Sequence, residues 1–121
     1  MASKVGNNIL TVEDIVAADD RPSEEVHVPE WGGYVRVRAF SKMQQLELRR
    51  LSKDPETGEL DQDKLEMLMA VEGIVEPKFT LDQMALLSDK SSNAIDRVIT
   101  RLLVISGGTD AVKQARRAFP R

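Results

Sequence analysis

Two runs of alternating valines around a glycine pair are the feature that most constrains the fold of this chain. In the stretch VHVPEWGGYVRV, residues 26–37, valine alternates with polar or aromatic residues before and after Gly32-Gly33. Alternation with a period of two predicts half-buried strands, and a glycine pair tolerates the positive φ angles of a tight turn. We therefore expect a small N-terminal β-hairpin over about residues 24–39.

Two registers of this hairpin fit the sequence, because the turn can lie at residues 32–33 or at residues 31–32. Val28 would face Val37 in the first register and Val35 in the second. In both registers the four valines share one face, since side chains alternate between the two faces of a strand. An isolated hairpin is marginally stable in water, so we expect the valine face to pack on helices.

Helices with recognisable N-terminal signals account for most of the remaining chain. In each of them, apolar residues at helical spacing follow a residue that can cap a helix. These capping residues are Thr11, Ser41, Asp61, Thr80 and either Ser91 or Ser92. Gly73 and Pro77 are expected to end the third helix, and the glycine pair at 107–108 is expected to end the long fifth one. A short basic helix is then expected over about residues 111–119.

The predicted fold is therefore mainly α (α+β), with the small hairpin packed on a bundle of about five helices. A chain of 121 residues fits one domain and can bury a core without metal or disulfide support. We predict a single domain over residues 1–121, with a helical body at about 41–107 and a basic C-terminal helix or tail at 109–121. No apolar run approaches the ~20 residues of a membrane span, and the N-terminus lacks the features of a secretory signal. We expect a cytoplasmic protein without a membrane partner.

The chemistry available to this chain is sparse. Cysteine is absent, which excludes disulfides, thiolate metal sites and cysteine nucleophiles. His27 is the only histidine, and no nucleophile motif lies near it. The acidic pairs at 19–20 and at 61 and 63 lack the spacing of a calcium loop, and the glycines do not form a phosphate loop. We therefore expect no catalytic site, no cofactor and no bound metal.

The third predicted helix is apolar over most of its circumference. Six of the seven residues from Leu65 to Val71 are apolar. One interpretation is a central helix surrounded by its neighbours. The other is a methionine-rich face that adapts to partner helices, since flexible thioethers fit varied surfaces. On the second interpretation, Met67, Met69 and Met84 are candidate partner-binding residues.

The aromatic residues near the hairpin tip have two interpretations. Trp31 is the only tryptophan and Tyr34 the only tyrosine of the chain. Aromatic anchors are enriched at protein interfaces, so both residues are candidate contacts for a partner or for another copy. Alternatively, Trp31 folds back and covers the edge of the core.

Basic residues offer an alternative binding surface. Arg97 and Arg101 lie one turn apart on the long helix, and further cations follow near the C-terminus. Such a helix could contact phosphates, but a net charge of −3 argues against general electrostatic attraction of nucleic acid to the protein surface. Cations near a helix C-terminus also interact favourably with the helix dipole.

Charge is distributed unevenly along the chain. Residues 1–30 hold seven acidic and two basic residues, a sum of −5, whereas the last nine residues hold four basic residues and no acidic one. Two such ends can attract each other in neighbouring copies, or each can simply be solvated. Together with the apolar helices, this polarity raises the hypothesis of self-association.

The order of several segments resembles one known family. The segments VPEWGGYVRVRAFS, DPETGELD, VEGIVEPKF, TLDQMALLSDK and LLVISGG follow one another along the chain. In this order they resemble the tail assembly chaperones of tailed bacteriophages and prophages. The resemblance covers about residues 9–108, and the order of the segments is more specific than any single one.

The resemblance implies a non-enzymatic assembly factor. Such a protein would coat the long helical tape-measure protein, keep it soluble and recruit the major tail protein. It would act in the cytoplasm of the bacterial host and would not be expected in the mature virion. The resemblance also implies a longer form made by translational frameshifting, with its extension beginning near residues 119–121. The alternative is a small nucleic-acid-binding or regulatory adaptor that uses Arg97, Arg101 and the basic C-terminus.

Overall fold

The computed structural model describes residues 8–118, and for residues 108–118 it describes the backbone alone. Within this range the fold is mainly α with a small antiparallel sheet, as the sequence predicted. The helices are α1 (Val12–Ala17), α2 (Lys42–Leu51), α3 (Gln62–Gly73), α4 (Met84–Ser88) and α5 (Ser92–Ala118). The strands are β1 (Ser23–Val28), β2 (Gly33–Arg38) and β3 (Ile74–Glu76), and short 3₁₀ turns span Pro29–Trp31 and Leu81–Gln83.

The hairpin forms where the valine pattern predicts it, but neither predicted register is correct. Val26 pairs with Val35 and Val28 pairs with Gly33, so residues 29–32 form a four-residue loop. Pro29 has no N–H to donate to the strand ladder, and it begins a 3₁₀ turn instead. The loop closes through Gly32, whose φ of +76° lies in the left-handed region that favours glycine.

The prediction that the four valines share one buried face is confirmed. All four are buried, and the face that they form packs against α5. The opposite face of the hairpin is polar: Arg36 bridges Glu25 on β1 and Glu76 on β3, at 2.9 and 3.0 Å. Alternate residues of β1 and β2 therefore form a core face on one side of the hairpin and a charged face on the other.

A third strand extends the hairpin into a sheet with the order β1-β2-β3. Strand β3 follows α3 directly and runs antiparallel to β2, with Ile74 opposite Val37 and Glu76 opposite Arg36. The sequence predicted the end of α3 at Gly73 correctly but did not predict the strand after it. A strand of three residues is too short for its alternation to be recognised.

The helix starts predicted at Thr11, Ser41, Asp61 and the Ser91–Ser92 pair are confirmed, whereas Thr80 begins a 3₁₀ turn and α4 starts only at Met84. Capping side chains accept hydrogen bonds from backbone N–H groups three residues later at Thr11, Ser41 and Asp61. The start of α5 is resolved in favour of Ser91, whose hydroxyl accepts from the Ala94 N–H at 3.3 Å. Capping boxes are also complete at Thr11, Ser41 and Thr80. These local hydrogen bonds set where the elements begin.

The predicted end of the long helix at the glycine pair is wrong. Helix α5 continues from Ser92 through residues 107–108 to Ala118. Glycine ends a helix when it adopts a left-handed φ, and in the described residues only Gly32 and Gly58 do so. The predicted separate basic helix over 111–119 is therefore the end of α5. Its basic side chains and residues 119–121 lie outside the described part of the chain.

The core lies between α3, α5 and the sheet. Helix α3 contributes Leu68, Met69, Ala70 and Val71, and α5 contributes Ala94, Ile95, Val98, Ile99 and Leu102. These residues surround α3 with apolar neighbours, which supports its interpretation as a central helix. Among the helices that the structure describes, none has the length and apolar content needed to cross a bilayer.

Candidate partner-binding groove beside Trp31

Trp31 lies at the end of the loop between β1 and β2. Its ring is half-buried and packs against the core, so it covers the edge of the core. The indole Nε1 is also buried, and no described residue accepts its hydrogen bond. A buried donor without an acceptor costs about 1–3 kcal/mol, so such groups are rare unless another molecule or water satisfies them.

An open groove of about 420 Å³ lies beside this ring. We call it the Trp31 groove; its lining consists of Glu30, Trp31, Phe79, Leu86, Leu87 and Lys90. Leu87 is buried and anchors α4 to the core, whereas its neighbour Leu86 is 67% exposed at the edge of the groove. An apolar floor with a few polar groups at the rim is typical of a surface that receives one face of an amphipathic helix.

One rim of the Trp31 groove is attached to the long helix. The Arg97 guanidinium on α5 donates to the Glu30 carboxylate at 2.8 Å. The pKa of Glu30 is lowered by a hydrogen bond to a backbone N–H and, less strongly, by Arg97. The loop that carries Trp31 is therefore held in place by α5 as well as by the sheet.

A second ion pair attaches the start of the hairpin to the same helix. Arg101 donates from Nε and Nη2 to the two carboxylate oxygens of Glu24, at 2.6 and 2.8 Å. This hydrogen bonding lowers the pKa of Glu24, against a weaker opposing effect of burial. Arg97 and Arg101 lie one helical turn apart, so both guanidinium groups hold the hairpin on α5. A phosphate would have to compete with these carboxylates.

The Glu24–Arg101 pair is expected to make stability depend on pH. Because the folded-state pKa of Glu24 lies below its ordinary value of 4.5, the pair stabilises the fold above that pH and its contribution is lost as the pH falls further. We expect Glu24→Gln to lower the free energy of unfolding by about 1 kcal/mol at neutral pH, and by much less near pH 3. Urea unfolding at the two pH values measures the difference.

Glu56 provides the control for this experiment. It lies exposed in the loop between α2 and α3 and forms no ion pair with a described residue. Glu56→Gln should leave the pH dependence unchanged. An equal loss of stability for Glu24→Gln at both pH values would show that packing, and not the ion pair, causes the effect.

The other candidate residues from the sequence lie away from the Trp31 groove. Tyr34 is exposed on the charged face of the sheet, and the centroid of its ring lies 4.8 Å from that of His27. Met69 is only 7% exposed and offers almost no surface to a partner in this conformation. Met67 and Met84 are partly buried and pack against the core. None of these four residues lines the Trp31 groove.

Sequence reasoning missed most of the residues that line the groove. Phe79 and Lys90 lie in connections, at the ends of the segments VEGIVEPKF and TLDQMALLSDK, which indicated a family resemblance but no binding role for either residue. The sequence does indicate that Leu86 and Leu87 are apolar neighbours on one helix, and either of them could be exposed. In a helix of five residues, however, the sequence alone does not indicate which leucine is exposed.

Comparison with known protein families, with curated proteins and with solved structures finds no match to this chain. The functional interpretation therefore depends on the groove, on the charged contacts around it and on the order of the sequence segments. Of these, the groove is the feature that specifies a kind of ligand, because its floor is apolar.

Proposed function

We propose that the protein is a phage tail assembly chaperone whose Trp31 groove receives the apolar face of a helical segment of the tape-measure protein. The observation that carries this proposal is the apolar groove with an exposed leucine at its edge. A helix laid along the groove would cover Leu86.

A shallow groove suits a protein that acts in many copies. One such contact is weak, but repeated contacts along a single long ligand give a high total affinity. Coating would keep the apolar stripes of a long helical protein from aggregating. In this proposal the chaperone also recruits the major tail protein through a different surface, or through a frameshifted longer form, and acts in the bacterial cytoplasm.

The groove can be tested with Leu86→Glu. A carboxylate at this exposed position should leave the fold intact, but it would place a charge against the apolar face of the partner. We expect at least a tenfold drop in the amount of tape-measure protein that co-purifies after co-expression, since a central apolar anchor typically contributes about 2 kcal/mol or more. A tagged pull-down measures the recovery.

Leu81→Glu is the matched control, because Leu81 is 55% exposed but does not line the groove. It should bind like the wild type. Each pull-down is repeated at high salt, which apolar contacts resist and phosphate contacts do not. If the tape-measure protein is equally soluble without this chain, the chaperone proposal fails. Salt-sensitive binding to nucleic acid would favour the adaptor alternative.

The role of the indole ring can be tested separately with Trp31→Phe. Phenylalanine keeps an apolar ring and removes the unsatisfied donor, which offsets part of the lost packing. We expect the free energy of unfolding of the isolated protein to change by less than about 1 kcal/mol. Partner affinity should fall about three- to tenfold, because the smaller ring offers less apolar surface to the partner. A large loss of thermal stability with unchanged binding would show that Trp31 serves only the core.

A further inference from the structure

A second apolar surface lies on the N-terminal helix, away from the Trp31 groove. Val12, Ile15 and Val16 of α1 are spaced to share one side of the helix, and all three are exposed. The preceding Ile9 and Leu10 are exposed as well. No residue of α1 is buried, so the rest of the described chain does not cover this apolar side.

A helix as short as α1 needs a surface to pack on. It has six residues, and its N-terminus is stabilised by the capping box of Thr11 and Asp14. Isolated helices of fewer than about 12–15 residues are marginal in water, and most helical stability in proteins comes from packing of an apolar side. A strong cap with an uncovered apolar side is typical of a segment that docks elsewhere.

Helix α2 presents a complementary surface. Met43 and Leu46 are exposed and lie on the side of α2 that faces away from its buried residue, Leu48. By helical spacing, Arg50 continues this stripe and Lys42 and Arg49 lie along its flank. The exposed side of α2 is therefore an apolar stripe bordered by cations. It shares no residue with the lining of the Trp31 groove.

The charges of the two surfaces are opposite. Residues 8–20, which contain α1, carry four acidic side chains and no basic one, whereas residues 42–53 carry four basic side chains and one acidic one. Arg50 pairs with the acidic Glu47 on its own helix. Within residues 8–107, neither Lys42 nor Arg49 forms an ion pair. These cations are available to the acidic flank of α1.

We propose that α1 of one copy docks on the Met43–Leu46 stripe of α2 in a second copy. The chain leaves α1 at a point that is held beside its own α2, because Arg21 donates to the Ala39 carbonyl and to the Gln44 side chain at 3.0 and 2.8 Å. In that position the apolar side of α1 and the stripe on α2 of the same chain both remain exposed. A second copy brings the two surfaces together.

The contact joins two different surfaces, so each copy carries one of each. Successive copies can then add head to tail, or two copies can exchange helices reciprocally and stop at a dimer. Both assemblies depend on the same contact of α1 with α2. This inference does not rest on the proposed function, because the purified chain alone should associate.

The test measures the mass of the full-length protein by sedimentation equilibrium over a concentration series from micromolar to near-millimolar. The wild type should exceed the monomer mass as concentration rises, and added salt should weaken the association. The variants are Ile15→Asp on α1 and Leu46→Asp on α2, at positions that are 59% and 53% exposed. Each should weaken self-association at least tenfold while circular dichroism and the Tm stay near the wild-type values.

Mixing the two variants identifies the partners in the contact. The Leu46→Asp chain keeps an intact α1 and the Ile15→Asp chain keeps an intact α2, so the mixture should form a mixed dimer that neither variant forms alone. Leu81→Asp, at an exposed position outside both surfaces, should associate like the wild type.

Three outcomes would overturn the proposal. The wild type could remain at the monomer mass at every concentration. The Ile15→Asp variant could associate as strongly as the wild type. The mixture could stay monomeric although the wild type associates. A monomeric wild type together with a lowered Tm in both variants would show instead that α1 packs on α2 of its own chain.

Discussion

Replacing Ile74 by alanine is expected to lower the free energy of unfolding by about 2–5 kcal/mol, the usual range when a buried isoleucine is truncated. Ile74 is fully buried, at 0% exposure, and lies opposite Val37 in the central strand. Ile74 is the first residue of β3, and its side chain belongs to the core that lies between the sheet and the helices. The alanine variant would leave a cavity there, which the surrounding side chains can fill only partly.

The adjacent residue provides the control. Val75 points away from the core and is 36% exposed, so Val75→Ala should cost less than about 1 kcal/mol. Urea unfolding followed by circular dichroism measures both variants. Since the two residues occupy opposite faces of β3, a difference larger than the one extra carbon of isoleucine explains would establish this three-residue strand as part of the core. Equal, small effects would show that β3 does not form as described.

Replacing Gly73 by alanine is expected to destabilise the protein by about 1–3 kcal/mol, although the same change usually stabilises a helix by up to about 1 kcal/mol. A methyl group on Gly73 would lie 2.6 Å from Cδ2 and 3.0 Å from Cγ of Leu102 on α5. Leu102 is fully buried, so the whole side chain would have to move within a packed core. The cost of overpacking should exceed the gain in helix propensity.

Two further variants separate these effects. Gly33→Ala adds a methyl group where no heavy atom lies within 4 Å, and it should change stability by less than about 0.5 kcal/mol. In a Leu102→Ala background the methyl group at residue 73 has room, so Gly73→Ala should become neutral or stabilising there. A stabilising effect of Gly73→Ala in the wild-type background would contradict close packing of α3 on α5.

The expected effects of Ile74→Ala and Gly73→Ala both arise at the junction of α3 and β3. The sequence predicted only part of this region, namely the end of α3. The sequence predicts the end of α3 near Gly73 and Pro77, although Gly73 does not adopt the left-handed φ of a helix-ending glycine. The close approach of Leu102 to Gly73 joins residues 29 positions apart in the chain. Helix propensity and turn signals describe neighbours in sequence, and they contain no information about such a contact. The same limit applies to the Trp31 groove, which joins the hairpin loop to α4.

The methionines illustrate why a binding residue is difficult to recognise from sequence. Met67 and Met69 were candidates because an apolar, flexible side chain suits a varied partner surface. The same property suits the interior of a protein, and Met69 is indeed part of the core. Composition does not distinguish the two environments, because an apolar contact is chemically the same within a chain as between chains.

The sequence by itself determined the elements that depend on near neighbours. The alternation of valines defined the buried face of the hairpin, because side-chain direction on a strand repeats every two residues. The capping residues defined the helix starts, because their hydrogen bonds span three residues. These features need no knowledge of the rest of the chain.

Only the tertiary structure decided the hairpin register, the third strand, the continuation of α5 and the position of the groove. The third strand and the groove depend on residues far apart in sequence, such as Val37 with Ile74 or Trp31 with Leu87. A short strand forms when a neighbouring strand offers hydrogen-bond partners, and a groove forms where elements from separate segments meet. Such contacts follow from packing the whole chain at once, which a local pattern does not encode.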